Sequence, residues 1–172
     1  TTTDVSVRRQ AFMDKYSVTV LDDSRVSFTL PKGASVLNLL NDAQALAPDL
    51  YNRDAVYPDR LADWSTKNAF KSSVTENREF SIDGNFSDST SKSRSEQVAF
   101  LKKQNLEMPE LEHLAAAHVA YFIATGKDLF ANSVVRARGG ALNFFGNGLN
   151  VRDYVDDYRR NYVAASAALP SR

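Results

Sequence analysis

The only two histidines of the 172-residue chain, His113 and His118, lie in one stretch with Glu110 and Glu112. A helical zinc pair needs ligands four apart on one face, as in His-Glu-x-x-His. Five apart turns the second ligand away by about 140° at 100° per residue. Glu110 and His113, three apart, share a face, but two ligands do not make a metal site. His118 falls among apolar residues and reads as a neutral core histidine hydrogen-bonded to backbone or to a tyrosine. A pocket beside His118 would instead make this region a small ligand-binding or catalytic site, with His113 or a Tyr as acid or base.

A second group of polar residues follows. Arg136 and Arg138 alternate on an expected strand, which projects both to one face beside Lys127 and Arg152; that is the pattern of a patch for an anion or an acidic partner. Gly139-Gly140 and Gly146-x-Gly148 are close by, but neither G-x-G-x-x-G nor a P-loop pattern is present, and hairpin turns account for these glycines. Asp153, Asp156 and Asp157 resemble the magnesium-binding aspartates of prenyl-chain enzymes. No second aspartate cluster completes a two-sided clamp, and near the start of an expected helix these carboxylates complement its positive end, with Asp156 four residues before Arg160.

No serine carries a nucleophile signature such as G-x-S-x-G. With no cysteine in the chain, a disulfide framework, thiolate metal sites and cysteine nucleophiles are excluded. No metal or other cofactor is expected. Lys plus Arg and Asp plus Glu both number 21, so no overall field favours a polyanion and nucleic acid is an unfavoured partner. The apolar run from Ala115 to Ala124 is too short to span a bilayer. The chain opens Thr1-Thr2-Thr3 without an initiator Met, so any leader would have been lost and no compartment is read.

The elements that must position these residues are of both kinds. The first fifteen residues lack a clean period, and Val5, Phe12 and Tyr16 fit either one side of a short helix or a surface arm. SVTVL and RVSFTL alternate around Asp22-Asp23-Ser24 and predict a β-hairpin with Val26, Phe28 and Leu30 on one face. Ser35 is an N-cap for a helix from Val36 to Ala47, with Val36, Leu39, Leu40, Ala43 and Ala47 on its apolar stripe and Pro48 as its stop. This helix is expected to dock on the hairpin.

Another helix is expected from Pro58 through Ala69, burying Leu61 and Trp64. REFSI, with Phe80 and Ile82 on one face, predicts a strand that turns at Asp83-Gly84. Ser87 to Ser95 reads as the least structured segment, a solvated connection. Ser93 and Glu96 form a capping box for a short helix that ends near Lys102, Lys103 and Asn105. Pro109 opens, and Gly126 closes, a helix apolar nearly all round, which is the mark of a buried core helix. Ser133 to Arg138 and Ala141 to Phe145 predict a second hairpin joined at Gly139-Gly140, and Gly146-Asn147-Gly148 reverses the chain again. Asn150 caps a last amphipathic helix through Val151, Tyr154, Val155, Tyr158 and Tyr162.

From Ser17 to Ala47 the order strand, turn, strand, Pro31-Lys32-Gly33-Ala34-Ser35, helix resembles the opening of β-grasp domains of the TGS and ThiS type. The resemblance implies a helix crossing a small sheet. The chain ends Leu169-Pro170-Ser171-Arg172 and not on the Gly-Gly through which ThiS-like carriers act, so the resemblance does not imply sulfur-carrier chemistry.

The expected fold is a single compact α+β domain, 1–172, with an N-terminal hairpin and helix, a loop-rich middle, and a C-terminal helix, hairpin and helix around a buried central helix. Two lobes, 17–70 and 94–168, would be joined by the segment 71–93. The expected function is a non-enzymatic protein-interaction or accessory domain whose partner is another protein. The candidate binding residues are Arg136, Arg138, Lys127, His113 and His118. The alternatives are a small enzyme or ligand-binding domain with a pocket near His118, and nucleic-acid or anion binding through Arg136 and Arg138.

Overall fold

The computed structural model describes residues 2–50, 64–145, 148–152 and 159–170. They form a single α+β domain with two four-stranded sheets, and one central helix touches strands of both.

The chain begins with α1 (Thr2–Lys15), which buries Phe12 and is followed by the buried Tyr16, whose hydroxyl donates to Asp42. Sequence left helix and arm open here, and long-range anchors decide it: Arg8 pairs with Asp49, and Arg9 donates to the carbonyl of Ala124. The expected hairpin is β1 (Thr19–Asp22) with β2 (Arg25–Leu30), burying Val26, Phe28 and Leu30.

Helix α2 (Val36–Leu50) buries its predicted stripe and starts with Ser35 and Asn38 bonding each other reciprocally. It does not stop at Pro48. A proline deletes its own N–H bond, but the residues beyond it still have theirs to donate, and the last turn continues to Leu50. Packing is chiefly against the central helix and α1; the helix that lies against β2 and β3 is the central one.

Most of the helix expected from Pro58 lies outside the described residues. At its described end Trp64 is buried, as predicted, and stacks on Phe70 at 5.5 Å. Between them the chain turns, and extended backbone at Lys67 leads into a separate short helix, α3 (Asn68–Lys71). Strand β3 (Arg78–Asp83) pairs with β2 along its whole length, with Phe80 opposite Phe28. Helix α4 (Arg94–Lys102) has the predicted capping box.

Ser87 to Ser95 is not the loose connection its composition suggests. Ser89 is fully buried: its hydroxyl donates to the Phe86 carbonyl and accepts from Ala165 N–H, and Gln97 donates to its carbonyl. A polar run becomes fixed structure here because its side chains complete the hydrogen bonding of buried backbone.

The central helix, α5 (Leu111–Thr125), buries eleven of its fifteen residues, starts at Glu110, one residue after Pro109, and ends at Gly126 in the left-handed region (φ 74°). After it come β4 (Val134–Ala137), β5 (Gly140–Phe145) and β6 (Gly148–Arg152), paired in succession and antiparallel. Ala137 pairs with Gly140, so the β4–β5 turn is Arg138-Gly139 rather than Gly139-Gly140, with the positive φ (95°) at Gly139.

The last amphipathic helix is overturned where it is described. Val151 and Arg152 lie in β6 opposite Leu142 and Ala141, residues 159–162 are not helical, and the positions between lie outside the described residues. Leu149 and Val151 also fit a period of two, and a waiting ladder partner in β5 outweighs the local helical spacing. The chain finishes in β7 (Val163–Ala165), parallel to β4, and β8 (Ala167–Ala168), antiparallel to β3. The sheet orders are β1-β2-β3-β8 and β6-β5-β4-β7, so the five strand residues of β7 and β8 stitch the two sheets together.

Candidate functional site

The five residues singled out from sequence do not meet in one place. Arg136 lies inside β4, a strand buried on both faces, and is itself fully buried. Its Nη1 donates to the carbonyl of Lys92 at 2.8 Å and to Gln97 Oε1 at 3.1 Å. Alternation does put Val135 and Ala137 on the face toward α5 and Arg136 on the other. That other face is covered by α4 and the Ser89 segment instead of by water.

Arg138 sits in the β4–β5 turn, exposed, with Glu110 Oε1 3.3 Å from its Nη1. It lies at the N-terminal end of α5, where its carbonyl accepts from Leu111 N–H, whereas the exposed Lys127 follows the C-terminal end. Fifteen helical residues, roughly 22 Å at 1.5 Å each, separate them. No shared basic face of Arg136, Arg138 and Lys127 is formed.

The histidines part company as well. His118 is fully buried, with the rings of Phe144 at 4.5 Å and Phe130 at 4.7 Å, and its Nδ1 is 3.7 Å from Asp128 Oδ1. His113 is half-buried near the start of α5 and rests on Phe80 of β3 at 4.2 Å. Burial, and secondly the nearby Arg78 charge, push its imidazole down to about 4, so it is neutral near pH 7. Its helical neighbour Glu112 is pushed up, by burial first and then by Glu110.

Two clefts meet at His113, and His118 lines neither. The larger, about 660 Å³, is bounded by residues 72–78 with Glu110 and Glu112. The smaller, about 230 Å³, runs beside β3 and is lined by Phe80, Ile82, Met108, Pro109, Arg138 and Leu169 among others. Arg78, Glu110 and His113 belong to both.

The smaller cleft lies along the outer edge of β3. Leu169 N–H donates to Ser81 O at 2.8 Å, which places the backbone groups of Ser81 on that edge. Alternation then puts the N–H and C=O of Glu79 on the same side, and the β8 ladder covers only Ile82 and Asp83. Among the described residues nothing pairs with Glu79 there. Phe80 faces inward between Phe28, at 5.1 Å, and His113, so a strand laid on this edge would direct the side chain opposite Phe80 into the cleft.

Of the residues singled out from sequence, His113 and Arg138 line these clefts; Arg78 and Glu79 were not singled out, and Phe80 was named only as one face of a strand. The signal available was the exposed Arg-Glu ahead of Phe80 in an otherwise regular strand; the edge itself depends on where β8 stops. Among the described residues no group of three or more His, Cys, Asp or Glu could hold a metal ion, and no helix is long and apolar enough to cross a membrane. Compared with models of protein families, with curated proteins and with solved structures, the chain matches none.

Proposed function

We propose that this protein is an interaction domain that takes up an extended segment of a partner protein as an added strand on the outer edge of β3. The observation that carries this reading is the outward-facing backbone of Glu79, with no described partner, directly beside a cleft of about 230 Å³. Main-chain bonds to an edge supply affinity, and pockets for alternate side chains supply selectivity. The cleft is the size of one or two side chains, and Phe80, Met108 and Pro109 give it an apolar floor.

The test is selection of short random peptides on the folded protein, followed by Glu79→Pro. Proline at this position deletes the outward N–H and leaves the bonds to β2 in place, a substitution that edge strands tolerate. Selected peptides are expected to lose binding to Glu79→Pro, to lose it when alternate peptide amides are N-methylated, and to protect the Glu79 amide from exchange. Binding that survives both changes refutes strand addition, and the peptide-side change keeps the test valid if the variant folds poorly.

A second reading is favoured by the larger cleft. A histidine held neutral beside a glutamate pushed upward is the arrangement of an acid–base pair, so a small polar ligand in the 72–78 cleft would meet His113 and Glu112. Screening small polar compounds by NMR would show His113 and Glu112 shifts if this holds, and no such shifts if it does not.

A further inference from the structure

We propose that Arg78 is a carboxylate-recognition site, so that the strand taken up along β3 is an acidic segment. The inference rests on the strand-addition reading and names the chemistry of its partner. Arg78 opens β3, and its guanidinium lies over the ring of Phe80, 4.8 Å from the centroid. A guanidinium resting over a ring keeps N–H donors free for a two-point clamp on a carboxylate.

Other arginines of the chain are already engaged. Arg8 holds Asp49, Arg25 holds Asp83, Arg138 holds Glu110 and Arg159 holds Glu96. Among the described residues no hydrogen bond or ion pair engages Arg78, although it stands where both clefts meet. Glu112 is near enough to feel its charge but is not bonded to it. Of the three glutamates that line the smaller cleft, Glu110 is held by Arg138, and Glu79, one residue from Arg78 in the strand, also lines the hollow on the opposite face of the sheet; with Glu107 the third, Arg78 is the cation left to meet an incoming carboxylate.

Register makes the partner more specific. Arg78 and Phe80 are two apart and share a face of β3. On an added strand the residues opposite them are likewise two apart and point the same way. The residue opposite Phe80 enters the cleft over Phe80, Met108 and Pro109, and the residue opposite Arg78 carries the carboxylate. The recognised segment therefore has an apolar or aromatic residue and an Asp or Glu at alternate positions.

The experiment uses two random peptide libraries on the intact protein, one containing Asp and Glu and one with Asn and Gln in their place. Strong binders are expected from the acidic library alone, with an apolar residue two positions from the acid. Arg78→Gln should weaken them by roughly tenfold or more, and Arg78→Glu should shift selection toward basic peptides. Binders sensitive to Glu79→Pro but indifferent to Arg78→Gln overturn the carboxylate site and keep strand addition. Binders lost in Arg78→Gln but retained by Glu79→Pro uphold the carboxylate site and overturn strand addition. Absence of binders from both libraries together overturns both proposals.

Discussion

His113 and His118 sit five residues apart on one helix and occupy opposite kinds of surroundings. The offset of about 140° sends His113 toward β3 of one sheet and His118 toward Phe144 of the other. His118 is enclosed by Phe122, Phe130 and Phe144, and its region does the work of a core. His113 has one aromatic floor and open space on two sides. A single buried spine thus presents a sealed end-to-sheet contact and an accessible one, and helical phase, not residue type, decides which histidine can meet a ligand.

Four substitutions would sharpen or break this contrast. The largest effect is expected from Phe144→Ala on the sealed side, a loss of roughly 3–5 kcal/mol in chemical denaturation as a large buried ring becomes a cavity. A loss near zero would mean that the cage is not core. His118→Leu, which exchanges one enclosed side chain for an apolar one of similar size, should alter stability by only about 1 kcal/mol and leave peptide binding unchanged. If binding to the β3 edge fell in that variant, the separation of the two histidines would be wrong.

On the open side the effect is a matter of pH. The folded imidazole of His113 titrates at about 4 instead of 6.5, so between those values the unfolded chain binds a proton that the folded chain does not. Its contribution to stability is complete above pH 6.5 and declines as pH falls toward 4. Glu112, pushed up, acts in the opposite direction, and the difference between wild type and His113→Gln isolates the histidine. Denaturation curves at a series of pH values should show a shallower dependence for His113→Gln in this window; identical slopes would contradict the shift. The smallest effect on stability, within about 0.5 kcal/mol, is expected for Arg78→Gln, whose side chain is exposed. A larger loss would give Arg78 a structural role in place of the binding role.

Much of the architecture was legible from local pattern. Alternation marked β2 and β3, the Ser93–Glu96 box marked α4, and apolar residues on every side of 111–125 marked the spine. The failures share a cause. Arg136 reads as a solvated strand residue until α4 and Lys92 close over it, and Ser89 reads as loop until Ala165, 76 positions away, donates to it. Val151 reads as helical until β5 supplies a ladder. In each case a partner distant in sequence sets the environment, and periodicity cannot report it. The candidate groove was hidden for the same reason, since its edge depends on the β8 ladder reaching, among the described residues, only the last two residues of β3.

The stitching of the two sheets by Val163–Ala168 bears on how the chain is made as well as on how it stands. Strands β7 and β8 pair with β4 and β3. The ribosome delivers their residues after those of every other described strand. Until then β4 and β3 each present an unpaired edge, and loop closure across some eighty residues must precede the final contacts of β8 with β3. Completion of both sheets is therefore coupled to the delivery of Val163–Ala168, and until then the nascent protein must keep two adhesive edges shielded.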